Sequence, residues 1–164
     1  MSAQPAEPRW LSAEEQRSWR AYLRGARELD VALDRDLQAY DISLPEYELL
    51  SMLSEQPGGR MRMAALAELI VQSRSRVTHT AKRLEQRGWV RREPAPDDGR
   101  GVVLVLTRDG WERIEAMAKV HVESVRRNLL DVVSPSQFAC LGDVMELVRE
   151  RITTGGATPV ISRP

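Results

Sequence analysis

The chain has one cysteine, Cys140, among its 164 residues, so no disulfide can form within it. Its two histidines, His79 and His121, lie far apart. With a single thiol they do not make the closely spaced soft-ligand set of a dedicated metal site. No apolar run approaches the ~20 residues of a membrane span, and the N-terminus lacks the basic-then-apolar pattern of a secretory leader. These features lead us to expect a cytoplasmic protein without membrane contact. There is no Gly-rich phosphate loop, no His-Glu-x-x-His pair and no Ser/His/Asp or Cys/His arrangement. Nothing therefore marks the chain as an enzyme or as the holder of a cofactor. No internal repeat is visible.

The formal net charge is zero, but the charge is unevenly placed. Residues 1–59 carry six basic and eleven acidic side chains, residues 60–108 eleven and five, and residues 109–164 seven and eight. A basic block between two acidic ones is the asymmetry expected when one face meets a polyanion, although charge blocks are also common on solvated faces.

Residues 1–11 are expected to form a flexible arm. Ser12 and Glu15 have the spacing of a capping box, and Trp19, Tyr22, Leu23, Ala26, Leu29, Leu33, Leu37 and Tyr40 follow at helical steps. The pattern predicts a long amphipathic helix to about Tyr40, too long to be covered by one small domain. Ser43 and Glu46 form a second capping box, opening a helix that ends by Gln56, where Pro57-Gly-Gly breaks the chain. A short helix over 63–70 and a turn through Val71 and Gln72 lead to Ser73, the expected N-cap of the next helix. In that helix Val77, Ala81 and Leu84 form a narrow buried stripe. Ser75, His79, Lys82 and Gln86 lie opposite, flanked by Arg76 and Arg83 on one side and Thr78 on the other. Gly88 closes the helix in a left-handed conformation. Strands are expected over 89–93 and 102–106, with residues 94–101 as the hairpin tip. Thr107 caps a long helix to about Leu130. Ser134 and Gln137 open the last helix, which carries Phe138, Leu141, Val144, Met145, Val148 and Ile152 on one side. Residues 153–164 read as a disordered tail.

The expected fold class is mainly α with a small β-hairpin wing. Two helices joined by a tight turn, followed by a hairpin, make a winged helix-turn-helix. It is expected over residues 43–107, with residues 12–42 and 108–152 forming a helical dimerisation region.

Several stretches carry a more specific likeness. They are Ile42-Ser-Leu-Pro-Glu-Tyr47, Lys82-Arg-Leu-Glu-Gln-Arg-Gly-Trp-Val90, Asp98-Gly-Arg100 and Leu106-Thr-Arg-Asp-Gly110. In their order they resemble the MarR family of bacterial transcriptional regulators, over about residues 12–152. The resemblance implies a homodimer whose first, fifth and sixth helices intertwine. It would present two winged helices to a pseudo-palindromic operator in double-stranded DNA, with recognition helices ~34–36 Å apart. It also implies a regulator, by family default a repressor.

Position then assigns roles. Ser75, Arg76, Thr78 and His79 lie in the half of the recognition helix that reaches base edges, with Arg76 the first choice for a guanine. Lys82 and Arg83 are assigned to phosphates, Arg74 less strongly, and Ser73 lies at the helix start. Arg100 corresponds to the family's minor-groove wing-tip arginine, and Asp98 to the acid that pins it. The resemblance further implies release by a small aromatic or phenolic ligand, for which Trp19, Tyr22, Leu23, Tyr47, Met52, Trp111 and Met117 are the candidate pocket residues. Arg20, Arg24 or Arg27 would meet a carboxylate there. A ligand-independent or redox-responsive regulator and a winged-helix protein-interaction module are the alternatives. Cys140, between Ala139 and Leu141, is expected to be a buried, inert core thiol. His121 is expected to be a satisfied interface histidine.

Overall fold

The computed structural model describes residues 8–96 and 101–155. Helix α1 spans Ala13–Leu37, α2 Leu44–Ser54, α3 Met63–Leu69 and α4 Arg74–Gln86. Helix α5 spans Arg108–Asn128 and α6 Pro135–Thr153. Three short strands, β1 (Arg60–Arg62), β2 (Val90–Pro94) and β3 (Val102–Leu106), form an antiparallel sheet in the order β1-β3-β2. The chain is thus mainly α with a small sheet. It divides into two compact units, residues 1–121 and 122–164.

In the first unit, the helix starts follow the capping chemistry. Ser12 and Glu15 exchange backbone and side-chain bonds at α1, and Ser43 and Glu46 do so at α2. Such caps contribute ~1 kcal/mol each. Helix α1 ends at Leu37, and a 3-10 turn, Gln38–Tyr40, completes the apolar stripe expected to run to Tyr40. Asp34 then turns back, and its Oδ1 accepts the first backbone N–H of α2, Leu44 N, at 2.7 Å. This bond ties the two helices together beside their apolar packing. The core gathers Leu37, Ile42, Leu49, Leu50, Leu66 and Leu104, all at most 1% exposed. Each such side chain contributes about 1.5–3 kcal/mol by leaving water.

The sheet differs from the expected hairpin in two ways. Strand β1 is an additional strand. Arg60-Met-Arg62 has no β-branched residue, and its conformation comes from pairing with Val103–Val105 of β3. Strand β2 begins at Val90 rather than Trp89, because Trp89 N donates back to Leu84 O and so belongs to the end of α4. Gly88, at φ +77°, makes that return possible.

The second unit holds the end of α5, a 3-10 turn at Leu130–Val132 and α6. Ser134 and Gln137 complete a capping box at α6. Every residue of α6 is exposed, including Phe138, Leu141, Val144, Met145, Val148 and Ile152. Cys140, expected in a buried core, is exposed as well, because none of the described residues covers the apolar side of α6. Among the described residues no helix is long and apolar enough to cross a membrane. The expected arm is described from residue 8, where it is exposed, and the expected tail to residue 155; residues 1–7 and 156–164 lie outside the described residues.

Candidate nucleic-acid interface

Helix α4 is positioned by its apolar side. Val77, Ala81 and Leu84 are fully buried, and Thr80 joins them at 2% exposed. Thr80 is a fourth member of the stripe that its polarity concealed. With that side fixed against the core, Arg74, Ser75, Arg76, Thr78, His79, Lys82 and Arg83 are all exposed. The helix start is set by Ser73, whose Oγ accepts Arg76 N at 3.3 Å. Its end is a Schellman closure in which Gly88 N donates to Glu85 O and Trp89 N to Leu84 O.

The arginines of this region divide into committed and uncommitted groups. Arg92 is bound to Glu85 through both its backbone N–H (3.1 Å) and its Nε (2.8 Å), joining β2 to α4. Arg60 and Arg91 share Glu93. Arg87 donates to Asp41 O and lies over the Trp89 ring at 5.2 Å. Arg83 donates Nε to Glu46 Oε1 at 2.9 Å. Among the described residues, the side chains of Arg74, His79 and Lys82 have no hydrogen bond or ion pair. The charges of Arg74 and Lys82, without an internal partner, are free to displace counterions from a polyanion. Thr78 Oγ1 donates to Arg74 O at 2.8 Å, which leaves its lone pairs available as acceptors.

Two of the grooves that touch α4 separate its residues by side. One, of about 620 Å³, is lined by Asp34, Ser43, Pro45, Ser73, Ser75, Arg76, His79, Thr80 and Arg83. The other, of about 220 Å³, is lined by Arg62, Met63, Ala64, Arg74, Thr78, Gly101 and Val102. Ser73, Ser75, Arg76, His79 and Arg83 therefore share one side, and Arg74 and Thr78 the other. Burial and the neighbouring Asp30 hold the Glu48 carboxyl above its ordinary value, with Arg76 pulling the other way. Arg76 thus has an acidic neighbour and is itself exposed. Asp98 and Arg100 lie outside the described residues. The hairpin beneath them is closed by Ala95 N donating to Gly101 O at 2.8 Å.

The candidate ligand-pocket residues are distributed as follows. Trp19 and Tyr22 stack on the exposed side of α1 with centroids 5.7 Å apart, near the half-buried Leu23 and the exposed Arg24. Tyr47 and Met117 are buried, and Met52 is half-buried. Trp111 lines a hollow of about 740 Å³ with Ser54, Arg108, Glu112, Ile114, Glu115 and Ala118, and none of the other seven candidates lines it. The Tyr47 ring lies 4.3 Å from the His121 imidazole. Among the described residues His121 Nδ1 is buried without a hydrogen-bond partner.

Sequence reasoning missed Glu46 as a partner of α4. Its capping role was visible, but its bond to Arg83 spans 37 residues. It also missed the left-handed Val71 (φ +53°) that closes α3.

A model of the MarR family matches residues 40–101, the stretch from the end of α1 to the wing. AbsC, a MarR family transcriptional regulator from Streptomyces coelicolor, superposes with a TM-score of 0.85 at 39% identity, over 90% of this chain and 99% of AbsC. Sco3205 from the same organism, a MarR family regulator solved in complex with DNA, gives a TM-score of 0.84 at 44% identity, over 89% of this chain and 92% of its own. The regulator PecS of Dickeya dadantii is 32% identical over 108 residues, which span 65% of this chain and 63% of PecS. With the winged arrangement of α3, α4 and the β2–β3 hairpin, these likenesses establish that the chain belongs to the MarR family of transcriptional regulators.

Proposed function

We propose that the protein is a homodimeric repressor that binds a pseudo-palindromic operator in duplex DNA through α4. The observation that carries this reading is the face of α4. Arg74, Ser75, Arg76, Thr78, His79 and Lys82 are exposed together, while Val77, Thr80, Ala81 and Leu84 hold the opposite side in the core. Arg76 would read guanine through O6 and N7, and Lys82 and Arg83, with Arg74 beside them, would hold phosphates. Arg100, steadied by Asp98, would enter the minor groove. The DNA complex of Sco3205 supports the reading by likeness. The dimer is supported by the exposed apolar side chains on α6 and by the Trp19–Tyr22 stack on α1, since lone soluble chains seldom expose contiguous apolar surface of this kind. A two-fold dimer reads an inverted repeat because the same axis repeats its surface.

The reading is tested by selecting bound sequences from random duplex and measuring affinity for the selected site and for a scrambled one. Arg76→Ala should lose about 1–3 kcal/mol of preference at one base position. Equal loss on both duplexes would remove Arg76 from base reading. No binding to any duplex would favour a protein-interaction module.

The second part of the proposal is release by a small aromatic or phenolic ligand. The exposed Trp19–Tyr22 stack and the Trp111-lined hollow support it. A ligand acts only by binding better to the recognition-helix spacing that does not fit DNA. Tryptophan quenching against aromatic acids and phenols, paired with duplex binding, tests it. Quenching without loss of duplex binding would refute release.

A further inference from the structure

We propose that Glu46, an acid buried beneath the basic face of α4, is a positioning residue for DNA binding that holds the Arg83 guanidinium by one edge and presents the other to a phosphate. The proposal rests on the DNA-binding reading above.

Glu46 is 4% exposed, at the first turn of α2. Its Oε2 accepts Ser43 N at 2.9 Å and Ser43 Oγ at 2.8 Å. Its Oε1 accepts Arg83 Nε at 2.9 Å. Burial alone would raise this carboxyl, but the Ser43 hydrogen bonds and the Arg83 and Arg87 cations outweigh it and hold it below the usual carboxylate range. The acid is therefore ionised and fixed at both oxygens. Arg83 meets it from the surface, with its side chain 57% exposed.

The geometry of contact decides the role. A structural strut between Arg and carboxylate commonly uses two parallel N–H groups, which consumes the fork. Here the recorded contact is through Nε, on one edge of a planar group that carries five donors. Arg83 also lines the groove that holds Ser73, Ser75, Arg76 and His79, and its side chain is 57% exposed there. A long side chain immobilised before binding loses less rotamer freedom when it meets a phosphate. Lysine cannot substitute, because a single ammonium cannot satisfy a buried acid and still present a planar edge outward.

This assignment makes a prediction opposite in sign to simple electrostatics. Removing an acid close to a DNA-facing surface should tighten binding to a polyanion. If Glu46 positions Arg83, removing it should weaken binding instead. The test uses the full chain and fluorescein-labelled duplex selected by the wild type, with a scrambled duplex beside it, in fluorescence anisotropy over a series of salt concentrations. Thermal melts first establish that each variant is folded at the assay temperature. Glu46→Gln should weaken binding to both duplexes by about tenfold, the size of one charge-assisted hydrogen bond, and make the salt dependence shallower. Arg83→Ala should lower the salt slope by about 0.9 per chain. Arg83→Lys, which keeps the charge, should also weaken binding. In the Arg83→Ala background, Glu46→Gln should leave affinity unchanged or improve it. Wild-type-like or tighter binding by Glu46→Gln alone overturns the proposal. So does an Arg83→Lys variant with unchanged affinity and slope, or an Arg83→Ala variant whose slope matches the wild type. Failure of the wild type to bind either duplex removes the DNA-binding reading and this inference with it, whereas wild-type binding with purely additive variants removes the inference alone.

Discussion

Val71 and Gly88 occupy the same position on consecutive helices. Each is the left-handed residue that closes its helix, at φ +53° and +77°. Around Val71, its own N–H donates to Glu68 O and Gln72 N donates to Ala67 O; around Gly88, the same two bonds run to Glu85 O and from Trp89 N to Leu84 O. The motif is tolerant of glycine and strained for a β-branched residue. Val71 is also 86% exposed, so its side chain gains almost nothing from packing in return.

Val71→Gly should therefore stabilise the protein. A left-handed L-residue costs roughly 1–2 kcal/mol, and the extra unfolded-state freedom of glycine takes back about 0.5–1. The net gain should be several tenths of a kcal/mol to about 1 kcal/mol, seen as a rise in thermal midpoint. A fall would mean that Val71 makes contacts worth more than its strain.

Gly110→Ala should act in the opposite direction. A Cβ on Gly110 would stand 2.0 Å from Trp89 O, which is backbone and cannot move aside cheaply. The same turn is held by Thr107, whose Oγ1 donates to Gly88 O at 2.7 Å and accepts Gly110 N at 3.0 Å, while Thr107 N donates to Trp89 O. The Leu-Thr-x-x-Gly stretch is thus a clamp joining the start of α5 to the end of α4. The loss should be about 3 kcal/mol or more by chemical denaturation. A loss under ~1 kcal/mol would contradict the clamp.

Apart from Arg83, which meets Glu46 through Nε alone, the division between committed and uncommitted cations predicts different phenotypes for residues of equal charge. Lys82→Ala should lower the salt slope of duplex binding by about 0.9 per chain and leave stability nearly unchanged. Arg92→Ala should leave the slope alone and lower stability by up to about 1 kcal/mol, because its partner Glu85 is near the surface. Salt titration and urea melts on the two variants separate these outcomes, and an exchange of the two phenotypes would refute the division.

His121 gives the stability a pH dependence. Burial beside Tyr47 holds the imidazole below its ordinary value of about 6.5. The unfolded chain therefore binds the proton more readily than the folded one. Stability from this group is intact above pH ~6.5, falls as pH drops through that value, and levels off below the folded value. His121→Phe, which keeps a ring against Tyr47, should flatten this acid limb in thermal midpoints measured between pH 5 and 8. An unchanged limb would place the effect elsewhere.

Much of the architecture was legible because it rests on local chemistry. Ser12, Ser43, Ser73 and Ser134 each announced a helix start by a side chain three residues from its partner. Gly88 announced a helix end, and Val77, Ala81 and Leu84 announced which side of α4 is buried. What escaped notice depends on distant partners or on a residue doing what its type disfavours. Arg60–Arg62 is a strand only because β3 lies beside it. Val71 takes a conformation that valine avoids. The bond from Arg83 to Glu46 joins two helices whose sequences give no hint of each other, so Arg83 read as one more free charge. Cys140 was misplaced because a run of apolar neighbours signals burial in some interface, not burial within the chain.

The central claim is that Arg74, Lys82 and Arg83 on the exposed face of α4 grip duplex DNA while its exposed polar residues choose the sequence. The most direct measurement is the affinity of the full chain for its selected inverted repeat and for a scrambled duplex, as a function of salt. With Arg74, Lys82 and Arg83 each meeting one phosphate in both halves of a dimer, log affinity should fall against log salt with a slope near −5. The selected site should remain at least about 10³-fold preferred. Affinity that ignores salt, or equal affinity for the two duplexes, would contradict the claim.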